Sequence, residues 1–144
     1  MEKELITGPG YKAGLGGRIW SPGIKVGPWL FVSGITAVDY EKGETVGLSA
    51  GGPLTPKSID PEAQWRQVLT NIKNLIESAG GTMKDVVLAN VFVTDMRYYY
   101  EYQWVREEFF EPPYPVCTAV AVRALVNPEW LLEIEVQAYI EPKS

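Results

Sequence analysis

Trp130-Leu131-Leu132-Glu133-Ile134-Glu135-Val136-Gln137-Ala138-Tyr139-Ile140 changes character at almost every step. Trp130, Leu132, Ile134, Val136, Ala138 and Ile140 form one set; Leu131, Glu133, Glu135, Gln137 and Tyr139 form the other. Successive side chains of a strand point to opposite faces, so this spacing predicts a strand with one apolar and one mixed face. The apolar face needs a covering layer. The mixed face is too polar for a core and too apolar for bulk water, a combination typical of oligomer interfaces and clefts.

Segments upstream supply the cover. Asp60-Pro61-Glu62 opens a helix: Asp60 caps it, Pro61 suits the first helical position, and Glu62 meets the positive end of the dipole. Trp65, Val68, Leu69, Ile72, Leu75, Ile76 and Ala79 then recur at helical spacing, and Gly80-Gly81 ends the helix. A second helix is predicted from Arg97 to Phe110, with Tyr98, Tyr102, Val105 and Phe109 as its buried stripe and Pro112-Pro113 as its stop.

Asp85 to Thr94 reads as a strand. Its odd face (Val87, Ala89, Val91, Val93) is small and apolar, and its even face (Val86, Leu88, Asn90, Phe92, Thr94) is mixed. Val116 to Val122 is another strand, Ile24 to Ser33 is a hairpin turning at Gly27-Pro28, and Asp39 to Lys57 is a Gly- and Pro-rich loop. The order β-β-α-β-α-β-β predicts an α+β domain: a mixed β-sheet with two helices packed on one face. The helices cover Leu132, Ile134, Val136, Val87, Ala89 and Val91. Glu133, Glu135, Gln137, Asn90 and Phe92 are left bare, together with Cys117 if the register continues, so that Cys117 and Glu133 share a wall.

Composition bounds the chemistry. At 144 residues, 46% hydrophobic and 22% charged, the chain is one globular domain spanning residues 1–144. There is no histidine, which removes Ser-His and Cys-His relays and every imidazole acid or metal ligand. Cys117 is the only cysteine, so there is no internal disulfide and no Cys-x-x-Cys pair. The aspartates at 39, 60, 85 and 95 are too far apart for a carboxylate metal loop. No metal site is therefore expected.

Met1 to Gly10 has no apolar signal core, and no run approaches the roughly 18 apolar residues of a membrane span. With a free thiol, this points to the cytoplasm. Lys+Arg 13 against Asp+Glu 18 gives a net charge of −5, which argues against nucleic acid as a partner. Gly14-Leu15-Gly16-Gly17 lacks the strand-loop-helix context and basic anchor of a phosphate cradle.

Trp20-Ser21-Pro22-Gly23-Ile24 followed by Leu30-Phe31-Val32-Ser33-Gly34 resembles the opening of the reactive-intermediate deaminase (Rid, or YjgF-like) family. Pro61 through Ile72 looks like that family's first helix, and Asp85-Val86-Val87 through Val91-Phe92-Val93-Thr94-Asp95-Met96 its central strand. Glu108-Phe109-Phe110, Pro115 to Val122 and Leu132-Glu133-Ile134-Glu135 continue the match in the family's order. The resemblance implies a chorismate-mutase-like fold assembled as a homotrimer, its sheets forming an inner barrel and its ligand clefts lying between subunits. It also implies hydrolysis of enamines and imines such as 2-aminoacrylate to a keto acid and ammonia, without a cofactor.

The resemblance assigns roles residue by residue. Glu133 matches the glutamate that orients water and Ser33 the cleft serine. Gly34 and Ala119 offer backbone N–H groups. Trp20 stands where the family has a cleft tyrosine, and Ile35 where relatives often carry Gln. Cys117 occupies the position of the signature arginine that clamps the substrate carboxylate, here after Pro115-Val116. A neutral thiol offers neither the fork nor the charge of a guanidinium. Arg106 and Arg123 remain nearby in sequence, but Arg123 lies about 20 Å from Cys117 along an extended strand and cannot replace the clamp.

The resulting expectation is a divergent deaminase with a less polar cleft. Its substrate is a small enamine or imine, conjugated or aromatic-derived, such as an aminomuconate-type compound. Cys117 is either a wall residue that tunes polarity or a nucleophile whose thiolate needs dipoles or a nearby cation. The alternative is a non-catalytic trimer that binds a metabolite or a regulatory partner.

Overall fold

The computed structural model describes residues 1–9 and 20–143, so the glycine run at 14–17 lies outside the described residues. Along the chain run β1 (Glu4–Ile6), β2 (Gly23–Val26), β3 (Trp29–Ile35), β4 (Val38–Asp39), β5 (Glu44–Thr45), β6 (Leu48–Ser49) and β7 (Ser58–Ile59). Then follow α1 (Pro61–Ser78), β8 (Val86–Val93), α2 (Tyr99–Val105), β9 (Val116–Ala121) and β10 (Leu132–Tyr139). Six strands form one sheet in the order β1-β2-β3-β10-β8-β9. Its pairs are antiparallel except β8 with β9, which run parallel. The fold is thus α+β, with both helices on one face of a mixed sheet.

The first helix forms where its signals place it. Asp60 Oδ1 accepts hydrogen bonds from the N–H groups of Glu62 (2.9 Å) and Ala63 (3.3 Å), satisfying donors that the first turn leaves free. Trp65, Val68, Leu69, Ile72, Leu75 and Ile76 are fully buried against the sheet. Gln64 is buried among them yet satisfied: its Nε2 donates to the Glu129 carbonyl at 2.8 Å, and its Oε1 accepts from the Leu131 N–H at 3.0 Å. That side chain ties the helix to the approach of β10. Tyr102 of α2 packs on Trp65 with ring centroids 4.5 Å apart, which closes the second layer.

The structure departs from the sequence reading in several places. β1 is an additional strand, and the stretch read as a loop over residues 39–57 carries the end of β4 and all of β5 and β6, whose partner β7 follows at Ser58–Ile59. Two-residue strands are too short to show alternation. The second helix is only seven residues long, flanked by 3-10 turns at Met96–Tyr98 and Arg106–Glu108. The tighter winding after Val105 changes the phase of the stripe, so Phe110 rather than Phe109 is buried.

Two register shifts decide what faces where. Leu132, Ile134 and Val136 pair with Val93, Val91 and Ala89, as the alternation predicts. The register then slips, and Ala138 lies opposite Val86. Val86 is therefore buried and Val87 is left exposed, the reverse of the expectation. On the other side of β10, Ile134 pairs with Ile35 and Val136 with Val32. Ser33 and Gly34 together oppose Glu135, a bulge that puts an extra residue into β3.

A further departure concerns the thiol. In the parallel pair, Cys117 lies beside Ala89 and Ala119 beside Val91, while Thr118 and Val120 lie beside Asn90 and Phe92. Paired residues share a face, so Cys117 and Ala119 are on the helix side of the sheet and Glu133 is on the bare side. The expected wall shared by Cys117 and Glu133 does not exist within one chain. Both faces of β9 are small or apolar, so composition carried no parity signal there.

Candidate functional site

The bare face is built around two carboxylates. Glu133 lies opposite Phe92, and Glu135 opposite Asn90, whose Nδ2 donates to Glu135 Oε1 at 3.1 Å. The bulge at Ser33-Gly34 sits alongside. A Cβ on Gly34 would stand 2.6 Å from Glu133 Cδ, so the carboxylate lies directly over the Gly34 backbone. The missing side chain is what makes room for it. Burial holds the Glu133 carboxyl above its ordinary pKa, and the charge of Glu135 adds to the shift.

Ser33 is anchored beside this pair. Its Oγ donates to the Ser21 carbonyl at 2.6 Å, and its N–H donates to the Pro22 carbonyl at 2.9 Å. The hydroxyl proton is thus committed, and lone pairs remain to accept from a ligand. Trp20, next to Ser21 in the chain, is partly exposed. Further along the same face Trp29 and Tyr139 meet edge to face, with centroids 5.1 Å apart, and Phe31 lies opposite Gln137. Ile35 does not join the site. The bulge restores the core phase after Gly34, and Ile35 is fully buried beneath the helices.

On the opposite side of the sheet, Cys117 opens onto a cavity of about 170 Å³ between β9 and the end of α2. Ala89, Tyr102, Phe110, Tyr114 and Arg106 form most of its wall. Arg106 Nη1 donates to Tyr99 Oη at 3.3 Å and Nη2 to Gln103 Oε1 at 3.1 Å. Its Cζ stands 5.3 Å from the centroid of the Tyr102 ring. Burial pushes the Cys117 thiol up, and the opposing pulls of the Arg106 charge and the Tyr99 hydroxyl do not reverse the shift. The thiol is therefore neutral at physiological pH. Ala119, half-buried on the same face, stands beside Val91.

Of the residues singled out from the sequence, the structure groups Glu133, Gly34 and Ser33 on one face and Cys117 and Ala119 on the other. Arg106 was noted in the sequence only as an arginine near Cys117. Its signal was legible: Tyr99, Tyr102 and Arg106 are spaced i, i+3 and i+7, one face of a helix.

The family model of endoribonuclease L-PSP matches residues 17–140. The chain belongs to that family. A RutC family protein of Pyrococcus horikoshii is 35% identical over 122 residues, covering 85% of this chain and 87% of that one. RidA from an Antarctic Psychrobacter superposes with a TM-score of 0.78 at 32% identity, covering 95% of this chain and 99% of that one. A Mycobacterium tuberculosis member of the YjgF/YER057c/UK114 family gives 0.73 at 27% identity, covering 96% and 100%. The resemblance drawn from Trp20 to Ala138 is thus to the right family. Among the described residues no group of three or more His, Cys, Asp or Glu is placed to hold a metal ion. No helix among them is long and apolar enough to cross a membrane.

Proposed function

We propose that this protein is a cofactor-independent hydrolytic deaminase of a small, conjugated enamine or imine, an aminomuconate-type compound being the type case, with Glu133 as its acid–base group. The observation that carries this reading is the Glu133 carboxyl, half-buried over Gly34 and held above its ordinary pKa. A carboxyl so placed exchanges a proton closer to neutral pH than a solvated one. An enamine first tautomerises to its imine. Water then adds to the C=N carbon, and one of its protons passes through Glu133 to the nitrogen, giving the carbinolamine. The hydroxyl proton follows by the same carboxylate to the nitrogen as the C–N bond breaks, leaving the ketone, ammonia and Glu133 as it began. Ser33 Oγ accepts from the substrate N–H, the N–H groups of Gly34 and Ala119 polarise it, and Trp20 packs over it.

The sheet separates Glu133 from the Cys117 cavity within one chain, and a homotrimer would join them. In this reading the bare face, with its exposed Trp29, Phe31 and Tyr139, packs against neighbouring copies. The apolar edge strand β9 faces the same seam. Each cleft then takes Glu133 from one copy and Cys117 from the next. Cys117 is a wall residue, since a neutral thiol with no histidine in the chain has no base to activate it. The free thiol suits a reducing, cytoplasmic setting. The net charge of −5 does not favour RNA as the substrate.

The test is ammonia release from 2-aminoacrylate generated in situ and from 2-aminomuconate, with sedimentation run in parallel. Acceleration over buffer by a species of three 16.0-kDa chains supports the reading. No acceleration on either compound sinks it. The replacement of the family's arginine by Cys117 favours one other reading, a trimer that binds a metabolite without turning it over. A ligand retained in the cleft with no ammonia released would establish that one.

A further inference from the structure

We propose that Arg106 anchors a carboxylate in the cavity between α2 and β9, supplying from the helix the cation that β9 lacks. The other arginines whose ion pairs are described have acidic partners: Arg66 meets Glu62 and Glu108, and Arg97 meets Asp95. Among the described residues no carboxylate pairs with Arg106. Its contacts are to neutral oxygens, Tyr99 Oη and Gln103 Oε1, and to the face of Tyr102. These use two of the five N–H donors of a guanidinium. The remaining donors are free to form the charge-assisted, forked bonds that a carboxylate accepts.

The surroundings favour that partner. Tyr102, Phe110 and Tyr114 make the wall aromatic, and partial exclusion of water strengthens any ion pair formed there. Cys117 is small and uncharged, so it leaves room and does not neutralise the guanidinium. The other charged residue of the lining, Glu107, is exposed, where solvent screens it. A volume of about 170 Å³ is many times the roughly 10–15 Å³ that admits one water, which leaves room for a short organic acid. That the acid is the substrate rests on the deaminase reading; that Arg106 binds it does not.

Calorimetric titration with 2-oxobutanoate and with the uncharged 2-oxobutanamide tests the assignment. The wild-type protein is expected to prefer the acid. Arg106→Gln should weaken the acid by roughly ten- to a hundredfold and leave the amide unchanged. Adding Cys117→Arg to Arg106→Gln should restore the preference, because it returns a guanidinium to the same cavity. Equal affinity of the wild type for acid and amide would overturn the proposal, as would an unchanged Kd in Arg106→Gln. Should Arg106→Gln lose its far-UV circular dichroism, Arg106→Lys decides: it keeps the charge but not the fork, so the acid should weaken and an unchanged Kd refutes. Ammonia assays separate the two ideas. Acid binding that depends on Arg106, without ammonia release, defeats the deaminase and leaves the anchor. Ammonia release with an unaltered KM in Arg106→Gln does the opposite.

Discussion

The two faces of the sheet each hold a titratable side chain shifted by loss of water, Glu133 half-buried on the bare side and Cys117, more exposed, on the helix side. Burial raises the pKa of both. They differ in what stands beside them. Glu133 has a second carboxylate, Glu135, which raises it further. Cys117 has Arg106 and the Tyr99 hydroxyl, which oppose the burial without overcoming it. The same loss of water therefore has two outcomes. On one face it brings an acid closer to the pH at which it can trade a proton. On the other it keeps a thiol neutral, so that the adjacent guanidinium retains its full charge for a ligand. One face is suited to proton transfer, the other to anion recognition.

The comparison breaks most visibly if Glu133 can be removed without loss. Glu133→Gln keeps the shape and abolishes the proton exchange. Ammonia release should fall by roughly 10²- to 10⁴-fold, the span usual for a lost general acid–base group. Binding of 2-oxobutanoate in the Arg106 cavity should persist. Steady-state kinetics together with calorimetry checks both halves, and parallel loss of binding would mean that the two faces are not separable.

Gly34→Ala probes the seat rather than the group. The new Cβ would come within 2.6 Å of Glu133 Cδ, so the carboxylate has to move. Displacing a reacting group by about 1 Å costs on the order of 10²-fold in rate. The loss should fall on kcat, with thermal stability nearly intact because Gly34 does not have a positive φ. Unaltered kcat would show that the carboxylate position is not what matters.

These two faces were legible in the sequence to different depths. Strict alternation from Leu132 to Ala138 fixes the parity of β10, because buried aliphatic residues and carboxylates differ sharply in transfer energy. The Asp60 cap and the Trp65-to-Ile76 stripe placed α1 for the same kind of reason. β9 offers no such contrast: Val116, Cys117, Thr118, Ala119, Val120 and Ala121 are all small or apolar. Only its pairing with β8 reveals which way the thiol points. The bulge at Ser33-Gly34 was hidden because a bulge changes register without changing composition, and Ile35 was misplaced for that reason. Arg106 was legible only as helical spacing to Tyr99 and Tyr102; that it shares a cavity with Cys117 was hidden, because the element winds irregularly at both ends.

A smaller effect sharpens the electrostatic half of the comparison. The Glu133 pKa is higher in the folded chain than in the unfolded one, so the folded state binds the proton more tightly. Stability from this group is present at pH below its ordinary value of 4.5 and declines as pH rises through the folded pKa. Glu133→Gln never ionises and does not suffer the decline. Its Tm relative to wild type should therefore rise from acid toward neutral pH and then level off. A Tm difference that is flat with pH would show that Glu133 is not desolvated.

Cys117→Ser should change least of all, and that small effect separates wall from nucleophile. Serine keeps the size and the neutrality of the thiol, so the cavity and the Arg106 charge are preserved. If Cys117 only lines the cavity, kcat/KM stays close to wild type. If it attacks the substrate, a hydroxyl with no base cannot replace it, and turnover collapses together with selective labelling by an alkylating probe. Burial already argues for the first outcome: a thiol whose pKa is pushed up carries little thiolate at neutral pH, and thiolate is the reactive form. A wild-type rate that rises with pH toward the thiol pKa, and a serine variant in which that rise is gone, would reverse the assignment of the two faces.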